Sequence, residues 1–298
     1  MVAMTDTLKA LASRRPVALY LALVFGLGLP LMFVPLLAAR GVIPGGSLPA
    51  MVGLDTERAS ALLLVLLALL PAALIVSFLE GGRPAVRALL ARAAMWRIGA
   101  GWWAFILLAL PATTVVLALI MGDTFRPLTL AALGAELAGF AFGFVLVNLW
   151  EELSWAGFMQ THLERRHNLY VAAALTAIPF AAIHMPLQVI NGVTDPAQLA
   201  QGFVLLSVLA VVVRSFFGLV MRGTAGSVLA VGVVHTIFNR SNNTDGIAAK
   251  LLEGTNRQGA ALLATALLTI GLGITQAVAA RRRGARGTTT PGPLGAGT

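Results

Sequence analysis

The residues best suited to chemistry in this sequence are two adjacent glutamates, Glu151 and Glu152, which lie in an apolar run. Between Arg126 and this pair the only other charged residue is Glu136. A carboxylate at membrane depth is costly, so it persists where protein or trapped water solvates it, and usually because it has a function. The pair therefore predicts a functional site.

Two histidines, His184 and His235, lie in other apolar runs. Each has a notable residue four positions away, Phe180 before His184 and Asn239 after His235. Spacing of four places both members of each pair on one helix face. We interpret the glutamates, these histidines and Asn239 as lining one polar pocket, in which Glu and His could exchange protons. The alternative is that each histidine only hydrogen-bonds a neighbouring helix.

The composition indicates an integral membrane protein. The 298 residues are 58% hydrophobic and 11% charged, with a mean hydropathy of +0.87, whereas soluble proteins carry about 25% charged residues. No polar segment is long enough for a soluble domain, so residues 1–298 are predicted to form one transmembrane domain. The absence of cysteine excludes disulfides and thiolate sites. The basic residues lie in short clusters between apolar runs, which argues against a nucleic-acid partner.

Apolar runs near the roughly 20 residues that span a bilayer predict an all-α polytopic fold with about eight transmembrane helices. The predicted spans are about 16–39, 59–79, 102–121, 130–164, 168–186, 202–221, 224–239 and 259–280. Residues 81–100 carry four spaced arginines and predict a basic amphipathic helix on the bilayer surface. Residues 281–298 are expected to be a flexible tail. His162 and His167 are interpreted as solvated histidines at the membrane edge.

Alternating the loops divides the basic residues unequally. One side holds Lys9, Arg14, Arg15, Arg83, Arg87, Arg92, Arg97, Arg165, Arg166, Arg222, Arg281, Arg282, Arg283 and Arg286. The other side holds Arg40, Arg58, Arg126, Arg240, Lys250 and Arg257. The positive-inside rule therefore predicts that both termini are cytoplasmic, in what composition suggests is a bacterial cytoplasmic membrane.

The polar residues fall at compatible depths. At ~1.5 Å of rise per residue, Glu151, His184 and His235 lie roughly 20, 24 and 16 Å from the predicted cytoplasmic ends of their helices. These depths predict an intramembrane cavity that faces the cytosol.

Three motifs occur on successive predicted helices. They read Glu151-Glu152-x-x-Trp155-x-Gly157-Phe158, Phe180-x-x-x-His184 and His235-x-x-x-Asn239. Together they resemble the CPBP family of intramembrane metalloproteases, which includes CAAX prenyl protease 2-like and bacteriocin-processing endopeptidases and is grouped with abortive-infection and lysostaphin-resistance proteins. The resemblance covers a protease core at about 95–245. It implies an intramembrane endopeptidase acting on a membrane peptide or protein.

The resemblance also implies residue roles. Glu151, the first member of the catalytic glutamate pair, would act as general base on a water that His184 helps to hold or polarise. His235 and Asn239 would stabilise the developing oxyanion. Because the family is often described as metal-dependent, Glu151, His184 and His235 could instead ligate zinc with one position open for water. The metal-free mechanism also fits, so the cofactor stays open.

One position departs from the family pattern. The first motif of the family normally reads Glu-Glu-x-x-x-Arg, and Ala156 occupies the arginine position here. Arg214 and position 156 both lie ~12 Å from the cytoplasmic ends of their helices. Arg214 is therefore predicted to pair with Glu152, the alternative being that it snorkels to the interface. Ala156 could otherwise mark an inactive member.

Two other functions stay open. A catalytically silent relative could serve as an immunity or scaffold protein. Buried Glu and His could also relay protons in a membrane carrier, although no inverted repeat typical of carriers is visible. The sequence does not identify the substrate.

Overall fold

The computed structural model describes residues 2–46, 48–51 and 53–287. Its helices and its two short strands follow one another in chain order. The helices are α1 (Val2–Arg14), α2 (Pro16–Ala39), α3 (Leu48–Met51), α4 (Thr56–Ala93), α5 (Ala100–Ile120), α6 (Leu130–Glu164), α7 (Leu169–Ile190), α8 (Pro196–Gly223), α9 (Val228–Asn242), α10 (Ile247–Leu251) and α11 (Arg257–Gly287). The strands β1 (Thr124–Phe125) and β2 (Leu252–Glu253) pair antiparallel.

The predicted all-α polytopic fold is confirmed. In the described part of the chain, seven helices are long and apolar enough to cross a membrane. The eighth predicted span corresponds to α9, which has 15 residues and so a length of roughly 22 Å, short of a ~30 Å hydrocarbon core. Most of its residues are buried by the surrounding helices. The short α9 therefore lies inside the bundle.

Helix α4 bends at Gly81 and Gly82, where the backbone leaves helical geometry. Gly82 has φ +63°, a conformation that favours glycine. The segment after this bend corresponds to the predicted surface helix, but it ends at Ala93. Arg92 at its end points inward and donates to the carbonyl oxygens of Gly157 and Gly226 at 2.8 and 2.9 Å.

Helix α6 is irregular around the glutamates. The α-helical turn Leu149–Glu152 is flanked by π-helical stretches at Gly143–Asn148 and Leu153–Gln160. Wider turns of this kind occur frequently at functional sites. Every residue of the second stretch is buried, so the chain beyond the glutamates is enclosed by protein.

Aromatic packing fixes this buried stretch. The Trp155 ring lies 5.8 Å from Tyr20 of α2 and 5.7 Å from Phe180 of α7, edge to face in both cases. On the other side, Ala156 belongs to a core with Phe216 and Phe217 of α8. The glutamates are thus positioned between two apolar clusters.

The connections between helices gather on two faces. The face at which α2 begins and α11 ends, called the terminal face, is formed by the connections at 81–99, 165–168 and 224–227. Its contacts include the bonds of Ser227 to Met95 and of Arg222 to Glu164. The opposite face, called the loop face, is formed by the connections at 40–46, 53–55, 121–129, 191–195 and 243–256. Its contacts include β1–β2 and the pair Arg58–Asp245.

Two parts of the terminal face differ from the sequence predictions. Helix α11 continues to Gly287 because the Ala- and Arg-rich run favours helix, so 281–287 of the predicted flexible tail are helical. Residues 288–298 lie outside the described residues. His162 is not solvated: its side chain is 8% exposed and its Nε2 lies 3.1 Å from both carboxylate oxygens of Glu80.

Candidate active site

The first glutamate and the first deep histidine meet across two helices. His184 Nε2 of α7 lies 3.7 Å from Glu151 Oε1 of α6. His184 Nδ1 lies 2.6 Å from the carbonyl oxygen of Phe180, one turn earlier, to which it can only donate. This fixes the tautomer of a neutral His184 and leaves Nε2 as an acceptor beside the Glu151 carboxylate.

The second glutamate has a different environment. Glu152 is fully buried, and Arg214 Nη1 donates to its Oε1 and Oε2 at 2.7 and 2.8 Å. His235 Nδ1 lies 2.8 Å from Oε1 of Glu152, but the angle at the ring nitrogen is not that of a hydrogen bond. Glu152 is thus enclosed by Arg214 and His235, while Glu151 faces a cavity.

Arg214 is itself completely buried. Its guanidinium carbon lies 5.5 Å from the Phe217 ring and 5.8 Å from the Phe180 ring. Nη2 is 3.5 Å from Gln160 Oε1. Arg214 therefore points into the bundle, not along the snorkelling path to the interface, and its charge is balanced by Glu152.

His235 and Asn239 of α9 join the same site. Asn239 Nδ2 donates to Asn148 Oδ1 at 3.3 Å, and Asn148 Nδ2 donates to Thr236 Oγ1 at 2.9 Å. Because an amide nitrogen carries two hydrogens, Asn239 keeps one donor for another partner. The Nε2 edge of His235, opposite its contact with Glu152, is likewise left for the cavity.

A cavity of about 810 Å³ connects these groups. Glu151, His184, His235 and Asn239 all line it, together with Asn148. The five groups therefore face one space, and Glu152 and Arg214 lie behind its wall.

The cavity opens at the loop face. Exposed residues at its mouth are Glu57 and Arg58 at the start of α4 and Asn243 and Asp245 after α9. Among the described residues, none from the terminal-face connections lines it. The predicted cytosolic opening and the predicted cytoplasmic termini therefore cannot both hold, since the mouth lies on the face opposite the start of α2 and the end of α11.

Ion pairs border this mouth. Arg240 contacts Glu136 at 2.7 Å and Asp245 at 3.1 Å, and Arg58 also contacts Asp245 at 3.1 Å. Burial by itself would raise the pKa of Asp245, but the hydrogen bond from Arg240 and the charges of Arg240 and Arg58 outweigh it. The pKa of Asp245 is therefore held below its ordinary value of 3.8.

The residues suggested as zinc ligands do not form a ligand set. Within the described chain, no three His, Cys, Asp or Glu side chains are arranged to hold a metal ion. His235 directs Nδ1 to Glu152, whereas Glu151 and His184 face each other. The set Glu151, His184 and His235 suggested by the sequence is thus not assembled around one point.

Sequence reasoning missed Asn148. It is 2% exposed and bridges Asn239 and Thr236 of α9. Its position three residues before Glu151 places it on the same helix face, and that spacing was the available signal. The glycines of Gly139-x-x-x-Gly143 explain how α9 comes close enough: a Cβ at Gly139 would lie 3.1 Å from the Arg240 guanidinium carbon.

Fold and site together define a polytopic membrane protein with an acid–histidine site inside the bundle. Residues 132–241 match the family described as Type II CAAX prenyl endopeptidase Rce1-like. The match confirms the resemblance drawn from the three motifs over this segment. The matched segment contains all of the predicted site residues. A search of curated proteins finds no match to the chain.

Proposed function

We propose that this protein is an intramembrane endopeptidase that hydrolyses a peptide bond of a membrane-associated substrate with an activated water. The observation that carries the proposal is the 3.7 Å separation of Glu151 Oε1 and His184 Nε2 at the wall of the cavity. Two acceptors at this distance suit a water that donates one hydrogen to each. Such a water would be oriented with a lone pair free for attack.

Glu151 acts as the general base in this proposal. It takes a proton as the water oxygen attacks the carbonyl carbon, and it returns the proton to the leaving amine. His184 holds the water through Nε2, since its Nδ1 is engaged by the Phe180 carbonyl. Asn239 supplies a donor to the tetrahedral oxyanion, and His235 adds a second through Nε2 in its imidazolium form, since its Nδ1 faces Glu152. Such a contribution is about 2.7–4 kcal/mol per donor in other hydrolases.

Glu152 and Arg214 have a positioning role. The arginine that the family pattern carries at position 156 is replaced by one from α8, which neutralises Glu152 from across the bundle. Glu152 then holds His235 by its Nδ1 contact. This arrangement supports an active enzyme over a degenerate one, because the positive charge lost at Ala156 is present at the same carboxylate.

The test compares purified wild type with Glu151→Gln in a peptidase assay on a library of single-span reporter peptides in proteoliposomes. Glu151→Gln keeps the shape of the side chain and removes the base, so cleavage should fall by a factor of at least ~10². The matched control is Glu57→Gln, which lies at the mouth of the same cavity and should cleave like wild type. Unchanged cleavage in Glu151→Gln contradicts the enzymatic proposal, as does no cleavage by wild type.

A further inference from the structure

The side of the membrane from which substrate reaches the site follows from two independent features of the molecule. One is the position of the cavity mouth, and the other is the distribution of charge between the two faces. We infer that the active-site cavity opens to the non-cytoplasmic side of the membrane and takes a polypeptide segment presented there. This rests on the proposed function, which it deepens by naming where the substrate segment must lie.

The position of the mouth is set by contacts of the loop face. Glu57 and Arg58 at the start of α4 and Asp245 after α9 line it, and Arg58 and Asp245 are paired. Asn191, the residue that follows α7, donates to Glu57 at 3.1 Å. The connections after α2, α7 and α9 therefore surround one opening.

The opposite end of the site is closed. Leu153–Gln160 is buried throughout, and Glu152 and Arg214 fill the space behind Glu151. Arg92 adds a clamp on that side through its bonds to Gly157 and Gly226. Substrate cannot reach Glu151 from the terminal face without opening this packed layer.

Charge separates the two faces strongly. By sequence, segments of the terminal face hold fourteen of the twenty-one Lys and Arg residues, those of the loop face hold six, and Arg214 is buried. The acidic residues have the opposite distribution. The loop-face segments hold Asp55, Glu57, Asp123, Glu136, Asp195, Asp245 and Glu253, and the terminal-face segments hold Asp6, Glu80 and Glu164.

This distribution orients the bundle. Basic residues next to membrane helices are retained on the cytoplasmic side, which makes the terminal face cytoplasmic. The mouth at the loop face then opens on the other side of the membrane. Half of the loop-face basic residues, Arg58, Arg240 and Lys250, are also paired with carboxylates.

The walls of the cavity indicate the kind of segment. Below the charged mouth they are formed by apolar residues, including Ala138 and Phe142 of α6 and Leu209 and Val213 of α8. His184 lies six residues before Ile190, roughly 9 Å below the loop-face end of α7. The substrate is therefore a membrane-embedded or membrane-anchored polypeptide with an apolar segment and a scissile bond about that far inside the non-cytoplasmic surface.

The chain has no cysteine, so single cysteines report accessibility in an otherwise native protein. Asn243→Cys lies at the mouth, Ala138→Cys in the cavity wall and His167→Cys at the terminal face. The probe is a membrane-impermeant sulfonated maleimide, applied to right-side-out and inverted membrane vesicles. We expect Asn243→Cys and Ala138→Cys to label in right-side-out vesicles and His167→Cys to label in inverted ones. The reverse pattern overturns the inference.

A second arm tests the substrate itself. Two single-span reporters carry the same randomised segment, one on the cytoplasmic and one on the non-cytoplasmic flank, and are co-expressed with wild type or Glu151→Gln. We expect Glu151-dependent cleavage of the non-cytoplasmic reporter only. Cleavage of the cytoplasmic reporter overturns the inference. The expected labelling with no Glu151-dependent cleavage of either reporter instead overturns the proposed function and leaves the orientation of the mouth standing.

Discussion

Arg214 Nη1 donates to both carboxylate oxygens of Glu152, at 2.7 and 2.8 Å, and neither side chain is exposed. The pair joins α8 to α6 immediately behind the cavity wall. A buried ion pair of this kind adds little net stability, but removing one partner leaves an uncompensated charge in a medium that does not solvate it. The energetic consequences of this contact are therefore asymmetric and open to test.

Arg214→Ala should lower the stability of the bundle by about 3–5 kcal/mol, the usual cost of breaking a buried pair. The measurement is the thermal unfolding midpoint in detergent. The matched control is Arg222→Ala on the same helix, whose side chain is 48% exposed and pairs with Glu164. That pair should contribute no more than ~1 kcal/mol. Equal shifts in the two variants would contradict the buried-pair account.

An arginine placed at position 156 of α6 should restore part of the stability that Arg214→Ala removes. Ala156 is four residues after Glu152 and is buried in the core that contains Phe216 and Phe217 of α8. Arg214→Ala opens space there for a longer side chain. Compared with Arg214→Ala, the double variant Ala156→Arg/Arg214→Ala should have a higher unfolding midpoint and a higher peptidase activity. Ala156→Arg alone should destabilise the protein because two guanidinium groups then compete for one carboxylate.

Substitutions of Glu151 and Glu152 should have different effects on stability and on cleavage. Glu152→Gln should lower the unfolding midpoint because it leaves Arg214 without a counter-charge, whereas Glu151→Gln should leave the midpoint near wild type and abolish cleavage. Glu152→Gln/Arg214→Met should cost less than the sum of its single variants, since the double change removes both buried charges. Additive effects in this cycle would show that the pair is not coupled.

How much of this site the sequence predicts depends on whether a residue and its partner share a helix. The pairs Phe180–His184 and His235–Asn239 are each readable from a spacing of four, and the structure brings both into one cavity. Depth along α6 and α8 places Arg214 level with Ala156, which predicts the contact of Arg214 with Glu152 that the structure contains.

Other features depend on contacts between helices that no single run reveals. Asn148 is placed by Thr236 of α9, 88 residues away. The side on which the cavity opens was not predictable either. Depth locates Glu151 between two helix ends, but only the packing of Leu153–Gln160 shows which end is closed. The short α9 resembles a span in composition, and its buried position becomes clear only from its neighbours.

Asn148 should be a positioning residue for Asn239. Asn148→Ala removes the acceptor of the Asn239 amide and leaves Thr236 without its donor. A lost buried bond costs about 1–3 kcal/mol, so kcat should fall by a factor of about 5 to 150. KM should change little, because the oxyanion contact forms only in the transition state. Thr236→Val is the matched control: it removes the far end of the bridge, keeps the Asn148–Asn239 contact and should lower kcat less.

The carboxylate at the cavity mouth should make stability depend on acid pH in a defined direction. The pKa of Asp245 in the folded protein is held below its ordinary value of 3.8, so its ion pairs stabilise the folded state fully above that value. This contribution is lost as the pH falls from 3.8 through the lower folded pKa. Asp245→Asn should therefore lower the unfolding midpoint at neutral pH, and the difference from wild type should disappear in this acid range.

The contributions of Arg240 and Arg58 to the stabilising effect of Asp245 can be distinguished by the same measurement. Arg240 donates to the Asp245 carboxylate from a side chain that is 9% exposed, whereas Arg58 reaches it from one that is 50% exposed. Water screens the Arg58 pair more strongly, so most of the effect should come from Arg240. Asp245→Asn measured in an Arg58→Gln background should retain most of its midpoint shift at neutral pH. If the midpoint shift vanishes in that background, the stabilisation comes from Arg58. If Asp245→Asn still differs from wild type in its unfolding midpoint below the folded pKa of Asp245, the charge of Asp245 is not the source of the stabilisation.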